Sequence, residues 1–140
     1  MLKLFKQQKK KQNTQPKILV VDDEPDLVST IQYRLKFAQC TVVTACNGRE
    51  GLEKAESEHP DLILLDTNMP EMSGHEMLKQ LRAKPELKHI PVIMVTAISE
   101  PQDIAAASAH GISDYVTKPF DFSELMEKVQ HALKESGFNA

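Results

Sequence analysis

Acidic residues in this chain gather at two points where an apolar run ends. Asp22, Asp23 and Glu24 follow KILVV, and Asp66 closes DLILLD, with Thr67 and Asn68 behind it. Two further apolar runs end in Thr96-Ala97 and in Lys118-Pro119. Each of these alone has an ordinary explanation. An acidic pair before a helix complements the helix dipole. A threonine at a strand end serves as a helix cap, and a lysine is most often a solvated surface residue. Together they describe more specific chemistry. Carboxylates held close to one another repel and call for a cation. Oxygen ligands, water and a phosphate oxygen are what magnesium takes. A lysine beside them would neutralise the charge left on a bound phosphoryl group.

These residues meet only if the intervening chain returns the ends of several runs to one edge. The pattern from Lys17 onward does this. Short apolar runs predict strands at 17–22, 40–45, 61–66, 91–95 and 113–117, and the first and third are apolar throughout, as for strands covered on both faces. Helical spacing follows each one. Pro25 suits a first helical position ahead of Leu27, Val28, Ile31 and Leu35. A second helix is expected at 48–58, carrying Leu52 and Ala55 inward, and a third after an N-cap at Ser73, ending near Pro85. A small-residue helix is expected at about 101–110, stopped by Gly111. A final helix at about 121–135 shows the stripe Phe122, Leu125, Met126, Val129, Ala132 and Leu133. Five βα units in succession imply an α/β fold, a parallel sheet with helices on both faces. In such sheets ligands bind outside the carboxyl ends of the strands, which is where the carboxylates, Thr96 and Lys118 fall.

Composition narrows the classes. The chain has 140 residues, 41% hydrophobic and 26% charged, which fits one globular domain. The longest apolar runs, such as 18–21 and 62–65, are strand-sized, so no transmembrane segment is expected. Cys40 and Cys46 stand six positions apart in a run that reads as strand, roughly 20 Å if extended, too far for a disulfide. Both are expected as reduced core or near-core thiols of a cytoplasmic protein. The net charge of −3 hides an asymmetry. Residues 1–17 carry six lysines and no acid, which leaves 11 of the 17 basic groups against 20 acidic ones, a charge of −9 on the remainder. An acidic body with a basic arm predicts no direct nucleic-acid partner. The expected organisation is a flexible basic arm at 1–16, a folded domain at 17–136 and a tail at 137–140.

VVDDEP, LLDTNMPEMSG, IPVIMVTA and DYVTKPF, in that order and spacing, resemble the signature blocks of the response-regulator receiver family of two-component signalling. The resemblance covers about residues 17–135 and is to a chemotaxis-regulator-like single-domain receiver. It implies a flavodoxin-like, doubly wound five-stranded sheet of order 2-1-3-4-5 with five helices. By position it implies Asp66 as phosphoacceptor, with Asp22, Asp23, Asp66 and the backbone carbonyl of Asn68 as ligands of Mg2+ (Mn2+ as a substitute). Thr96 matches the hydroxyl residue that contacts the phosphoryl oxygen, Ala97 the small residue beside it, and Lys118 the lysine that pairs with the group. Tyr115 matches the aromatic switch residue, and the Lys118-Pro119 bond is expected to be cis. Ile98 departs from fast-cycling members, which often have a polar or acidic residue there to position the hydrolytic water, so slow dephosphorylation is expected.

The implied function is acceptance of a phosphoryl group from a histidine kinase or a histidine phosphotransfer protein. The chain would act as a stoichiometric phosphoacceptor rather than a turnover enzyme. The signal would pass to a downstream protein, or to a second copy in a homodimer, at the face of the fourth helix, fifth strand and fifth helix. A haloacid-type phosphatase is the main rival, but it typically has a second Asp two positions after the nucleophile, where this chain has Asn68. Neither GxGxxG nor a P-loop supports a nucleotide-binding module. A degenerate receiver that only binds partners is disfavoured by the intact acidic set, Thr96 and Lys118. The chain ends shortly after the last helix, so a single-domain regulator or a piece cut from a longer protein is expected.

Overall fold

Parallel pairing of five short strands organises the chain. The structure, a computed structural model, describes residues 15–97 and 101–138, with the backbone alone described at 101–103. The elements are β1 Lys17–Val21, α1 Pro25–Phe37, β2 Thr41–Ala45, α2 Gly48–Glu58, β3 Leu62–Asp66, α3 Gly74–Ala83, β4 Val92–Thr96, α4 Pro101–Ala109, β5 Asp114–Thr117 and α5 Phe122–Glu135. The sheet order is β2-β1-β3-β4-β5, all parallel. This is the doubly wound, flavodoxin-like order implied by the resemblance.

Side-chain alternation sorts the core into two layers. Leu19, Val21, Ile63, Leu65, Val92 and Met94 face α2 and α3 through Leu52, Ala55, Met77, Leu78 and Leu81. Ile18, Val20, Leu62, Leu64, Ile93 and Val95 face α1 and α5 through Ile31, Leu35, Leu125, Val129 and Leu133. β1, β3 and β4 are thus buried on both faces, which is why their runs are apolar without alternation.

Local signals set the helix ends. Asn47 and Ser73 accept N-cap bonds from the amides of Glu50 (2.8 Å) and Glu76 (3.2 Å). Lys84, extended before Pro85, closes α3. Gly111, at φ +74°, takes the left-handed position just past α4.

Several expectations are corrected. The strands begin one residue later than expected at Thr41, Leu62, Val92 and Asp114, and β1 stops at Val21, leaving Asp22 in the loop. β4 runs one residue further, to Thr96. The two cysteines flank β2 rather than lying in it. Cys40 is buried, but Cys46 is exposed, with its thiol 3.2 Å from a Glu50 carboxylate oxygen. Its position past the strand end, where the chain turns to solvent, removes it from the core. At the C-terminus, Phe138 is buried against the α1–α5 layer, and its amide donates to Leu133 O at 3.0 Å. The packed body therefore reaches past residue 136. Most of the basic arm, residues 1–14, lies outside the described residues. Pro16 is already tied in, its carbonyl accepting from the Thr41 amide at 2.8 Å.

Candidate phosphoryl-accepting and metal site

Strand register builds the site. Val21 lies opposite Leu65, so the next residues, Asp22 and Asp66, come side by side above the sheet. Asp66 lies opposite Val95, which sets Thr67 beside Thr96. Thr96 lies opposite Thr117, and the Lys118 amide donates to Thr96 O at 2.7 Å. The Lys118-Pro119 peptide is cis, as expected from the resemblance.

Asp22, Asp23 and Asp66 each place one carboxylate oxygen within 4.8 Å of the others. Asp22 and Asp66 are buried and Asp23 is exposed, so the cluster opens to solvent on one side. Asp22 also closes its own turn, its Oδ1 accepting from the Glu24 amide at 2.9 Å. The Asn68 amide donates to Asp66 Oδ1 at 3.3 Å. Burial, and then the charge of Asp22, push the Asp66 carboxyl up to about 6, although Lys118 and the Asn68 amide favour its ionised form. One ammonium, that of Lys118, only partly offsets three carboxylates held this close, and the Asp66 carboxyl stays raised. The all-oxygen donor set and open side fit a hard divalent cation such as Mg2+, which keeps waters when bound.

Lys118 sits over this cluster. Its Nζ lies 2.9 Å from Glu24 Oε1, 3.0 Å from Asp22 Oδ2 and 3.6 Å from Asp66 Oδ1. Desolvation favours its neutral form, but the bonds to Glu24 and Asp22 outweigh it and raise its pKa. Its closest partners are therefore Glu24 and Asp22 rather than the expected acceptor. The sequence groups Glu24 with Asp22 and Asp23 after the first apolar run but assigns it no role in the site. Nothing in its spacing foretold the contact, which depends on β5 delivering Lys118 across the loop that follows β1.

Thr67, which follows Asp66 at the strand end, likewise has no role that the sequence assigns. Its hydroxyl donates to Thr96 Oγ1 at 2.7 Å, and both side chains are buried. The strand register would have revealed the pair. Thr96 shares the sheet face of Met94, and Met94 lies opposite Tyr115. Thr67, His75, Met94, Thr96, Ile104, Ala107, Ile112 and Tyr115 enclose a gap of about 10 Å³, the space of about one water molecule. Tyr115, which lines this gap, is 37% exposed. Ala97 is exposed beside the site, and Ile98 lies outside the described residues.

Gly74 holds the arrangement closed. A Cβ there would come within 2.1 Å of Asp66 O and 2.8 Å of Thr67 Cα. Only glycine lets the start of α3 press against the end of β3, where the Gly74 amide donates to Thr67 O at 3.1 Å.

Known proteins share this sequence pattern and this fold. The chain is 43% identical over 120 residues to the alkaline phosphatase synthesis transcriptional regulatory protein PhoP of Bacillus subtilis, an alignment covering 86% of this chain and 49% of that protein. It is 39% identical over 131 residues to hybrid signal transduction histidine kinase D of Dictyostelium discoideum, covering 94% of this chain and 8% of that protein. The chain thus spans about half the length of the first relative and a small part of the second. Among solved structures, the Vibrio cholerae chemotaxis protein CheY4 superposes with a TM-score of 0.81 at 33% identity, covering 85% of this chain and 99% of that one. The family described as response regulator receiver domain matches residues 18–130. Because that match runs from β1 into α5, it takes in nearly the whole folded body, and the chain belongs to the response regulator receiver domain family.

Proposed function

We propose that Asp66 accepts a phosphoryl group from a phosphohistidine on a histidine kinase or a histidine phosphotransfer protein. An Asp66 carboxylate oxygen attacks phosphorus in line, the P–N bond breaks, and the departing imidazole takes up a proton. The observation that carries this reading is the buried Asp66 carboxyl at the end of a central strand, 3.6 Å from Lys118 and crowded by two other carboxylates. A divalent metal held by Asp22, Asp23, Asp66 and the Asn68 carbonyl would supply positive charge to the phosphoryl oxygens. Lys118 would move from Glu24 and Asp22 to the third oxygen, a short displacement for a flexible side chain already poised among three acids.

The acyl phosphate would signal through Thr96. Drawing its hydroxyl toward the phosphoryl group breaks the bond to Thr67 and enlarges the gap beside it. At about 10 Å³ that gap admits no tyrosine ring, so Tyr115 can turn inward only after Thr96 has moved. The change would be read at the face of α4, β5 and α5. There Ala105, Ala106 and Ala109 are exposed while Ala107 faces the core, an arrangement that lets a downstream protein or a second copy approach closely. In this reading the chain is a stoichiometric phosphoacceptor acting in the cytoplasm. No helix among the described residues is long and apolar enough to cross a membrane. Intact mass after treatment with acetyl phosphate and Mg2+ tests the central claim. One added phosphoryl group is expected on the wild type and none on Asp66→Asn, and equal labelling of the Asn variant removes Asp66 as acceptor.

A further inference from the structure

We propose that the basic N-terminal segment, residues 1–14, docks in the groove between β5 and the start of α5 of the same molecule, covering Tyr115. The groove encloses about 640 Å³ and is lined by Asp114, Tyr115, Thr117, Pro119, Phe120, Asp121, Glu124 and Lys128. Its charges are unevenly matched. Lys128 Nζ is committed to Asp114 Oδ1 at 3.3 Å and Tyr115 O at 2.8 Å, and it lies 5.5 Å from the Tyr115 ring centre. Asp121 occupies the N-cap position of α5 yet makes no side-chain capping bond. Neither Asp121 nor Glu124 has a cationic partner among the described residues. The mouth of the groove is therefore negative, with the exposed ring of Tyr115, Pro119 and half-buried Phe120 as its apolar wall.

Residues 1–14 have the complementary character. They carry Lys3, Lys6, Lys9, Lys10 and Lys11 with no acid, and Leu2, Leu4 and Phe5 alternate with the first lysines. The other exposed aromatic patch fits this segment poorly. Tyr33 and Phe37 on α1 are 73% and 84% exposed, but Arg34 and Lys36 beside them would repel the lysines.

Reach is sufficient. The segment joins the fold at Pro16, at the start of β1. Three strand spacings separate β1 from β5, roughly 14 Å, and one strand length adds at most roughly 16 Å in the other direction. Fourteen residues extend to at most about 46 Å, and a random coil of that length averages about 20 Å. Tethering at that distance gives the segment a high effective concentration at the groove. Docking stands on the groove's charge and shape alone. That it masks an output face rests on the function proposed above.

The test uses the full chain, with a nitroxide on Gln7→Cys in a Cys46→Ser background, Cys40 being buried. The expected result is selective broadening of the amides of Tyr115, Thr117, Asp121 and Glu124. It should be lost in Asp121→Lys/Glu124→Lys and when the five arm lysines become glutamine, a change that leaves the folded body untouched. It should also fade near 1 M salt, where the screening length is about 3 Å. Broadening centred on Tyr33 and Phe37, or indifferent to both sets of variants, overturns the proposal. A signal that weakens on dilution assigns the contact to a second copy and overturns the intramolecular form. Absence of broadening with co-sedimentation on phosphatidylserine vesicles makes the segment a membrane tether instead. Asp66→Asn should leave the broadening unchanged while abolishing phosphorylation, which separates failure of this docking from failure of the phosphoacceptor reading.

Discussion

Replacing Asp66 by asparagine should make the metal-free protein more stable at neutral pH, although it removes the proposed acceptor. Burial, and then the Asp22 charge, raise the Asp66 carboxyl from 3.8 to about 6. A carboxyl raised in this way holds its proton more tightly in the folded state. Stability therefore falls as pH climbs between the unfolded and folded values. The penalty is absent well below 3.8 and complete above about 6. At about 1.36 kcal/mol per unit, it amounts to roughly 3 kcal/mol at pH 7.5. Asp66 is only 4% exposed, so solvent screens little of this. Asparagine keeps the shape and removes the charge, while Lys118 retains Asp22 and Glu24 as partners. The expected gain is on the order of 2–3 kcal/mol, a rise in Tm on the order of 10 °C. Urea unfolding of both proteins in EDTA, at pH 7.5 and at pH 4, measures it. At pH 4 the difference should shrink to about 0.5 kcal/mol. An Asn variant no more stable than wild type at pH 7.5, or a gap of equal size at both pH values, refutes the reasoning. Magnesium should then favour the wild type, by about 1.4 kcal/mol at ten times its dissociation constant, and should favour the variant less.

Three further outcomes are expected. Gly74→Ala forces a methyl group against Asp66 O; it should cost about 1–3 kcal/mol or more in chemical denaturation and slow phosphorylation, and unchanged stability would show that α3 can move away freely. Asp23→Ala should lose magnesium-dependent phosphorylation in an intact-mass assay, with stability within about 0.5 kcal/mol of wild type because the side chain is exposed; normal labelling would place the metal elsewhere. Ile98→Glu should shorten the lifetime of the phosphorylated form severalfold, followed by its decay after donor removal, because the resemblance implies that fast-cycling members use a polar or acidic residue at this sequence position to position the hydrolytic water; an unchanged lifetime would exclude Ile98 as the barrier to hydrolysis.

Apolar runs, caps and breakers were sufficient to place ten elements in order. The apolar runs of β1, β3 and β4 answer to burial on both faces, β2 and β5 lie half-exposed at the sheet edges, and each helix carried its own stripe or stop signal. That order, with Asp22, Asp23, Asp66, Thr96 and Lys118 at the ends of runs, already placed the reactive groups on one edge. Contacts between those groups were not legible, because they depend on register across strands far apart in sequence. Offsetting β4 by one residue against β3 would separate Thr67 from Thr96. The pairing of Lys118 with Glu24 and Asp22, across more than 90 positions of chain, likewise follows from the sheet order. The exposure of Cys46 and the burial of Phe138 are local cases of the same limit. Both residues have apolar character, but whether a neighbouring layer covers them depends on where the chain turns in three dimensions. The raised Asp66 carboxyl is the fullest example. Its side chain is written in the sequence, but its affinity for a proton comes from burial and from Asp22, and only folding brings those together.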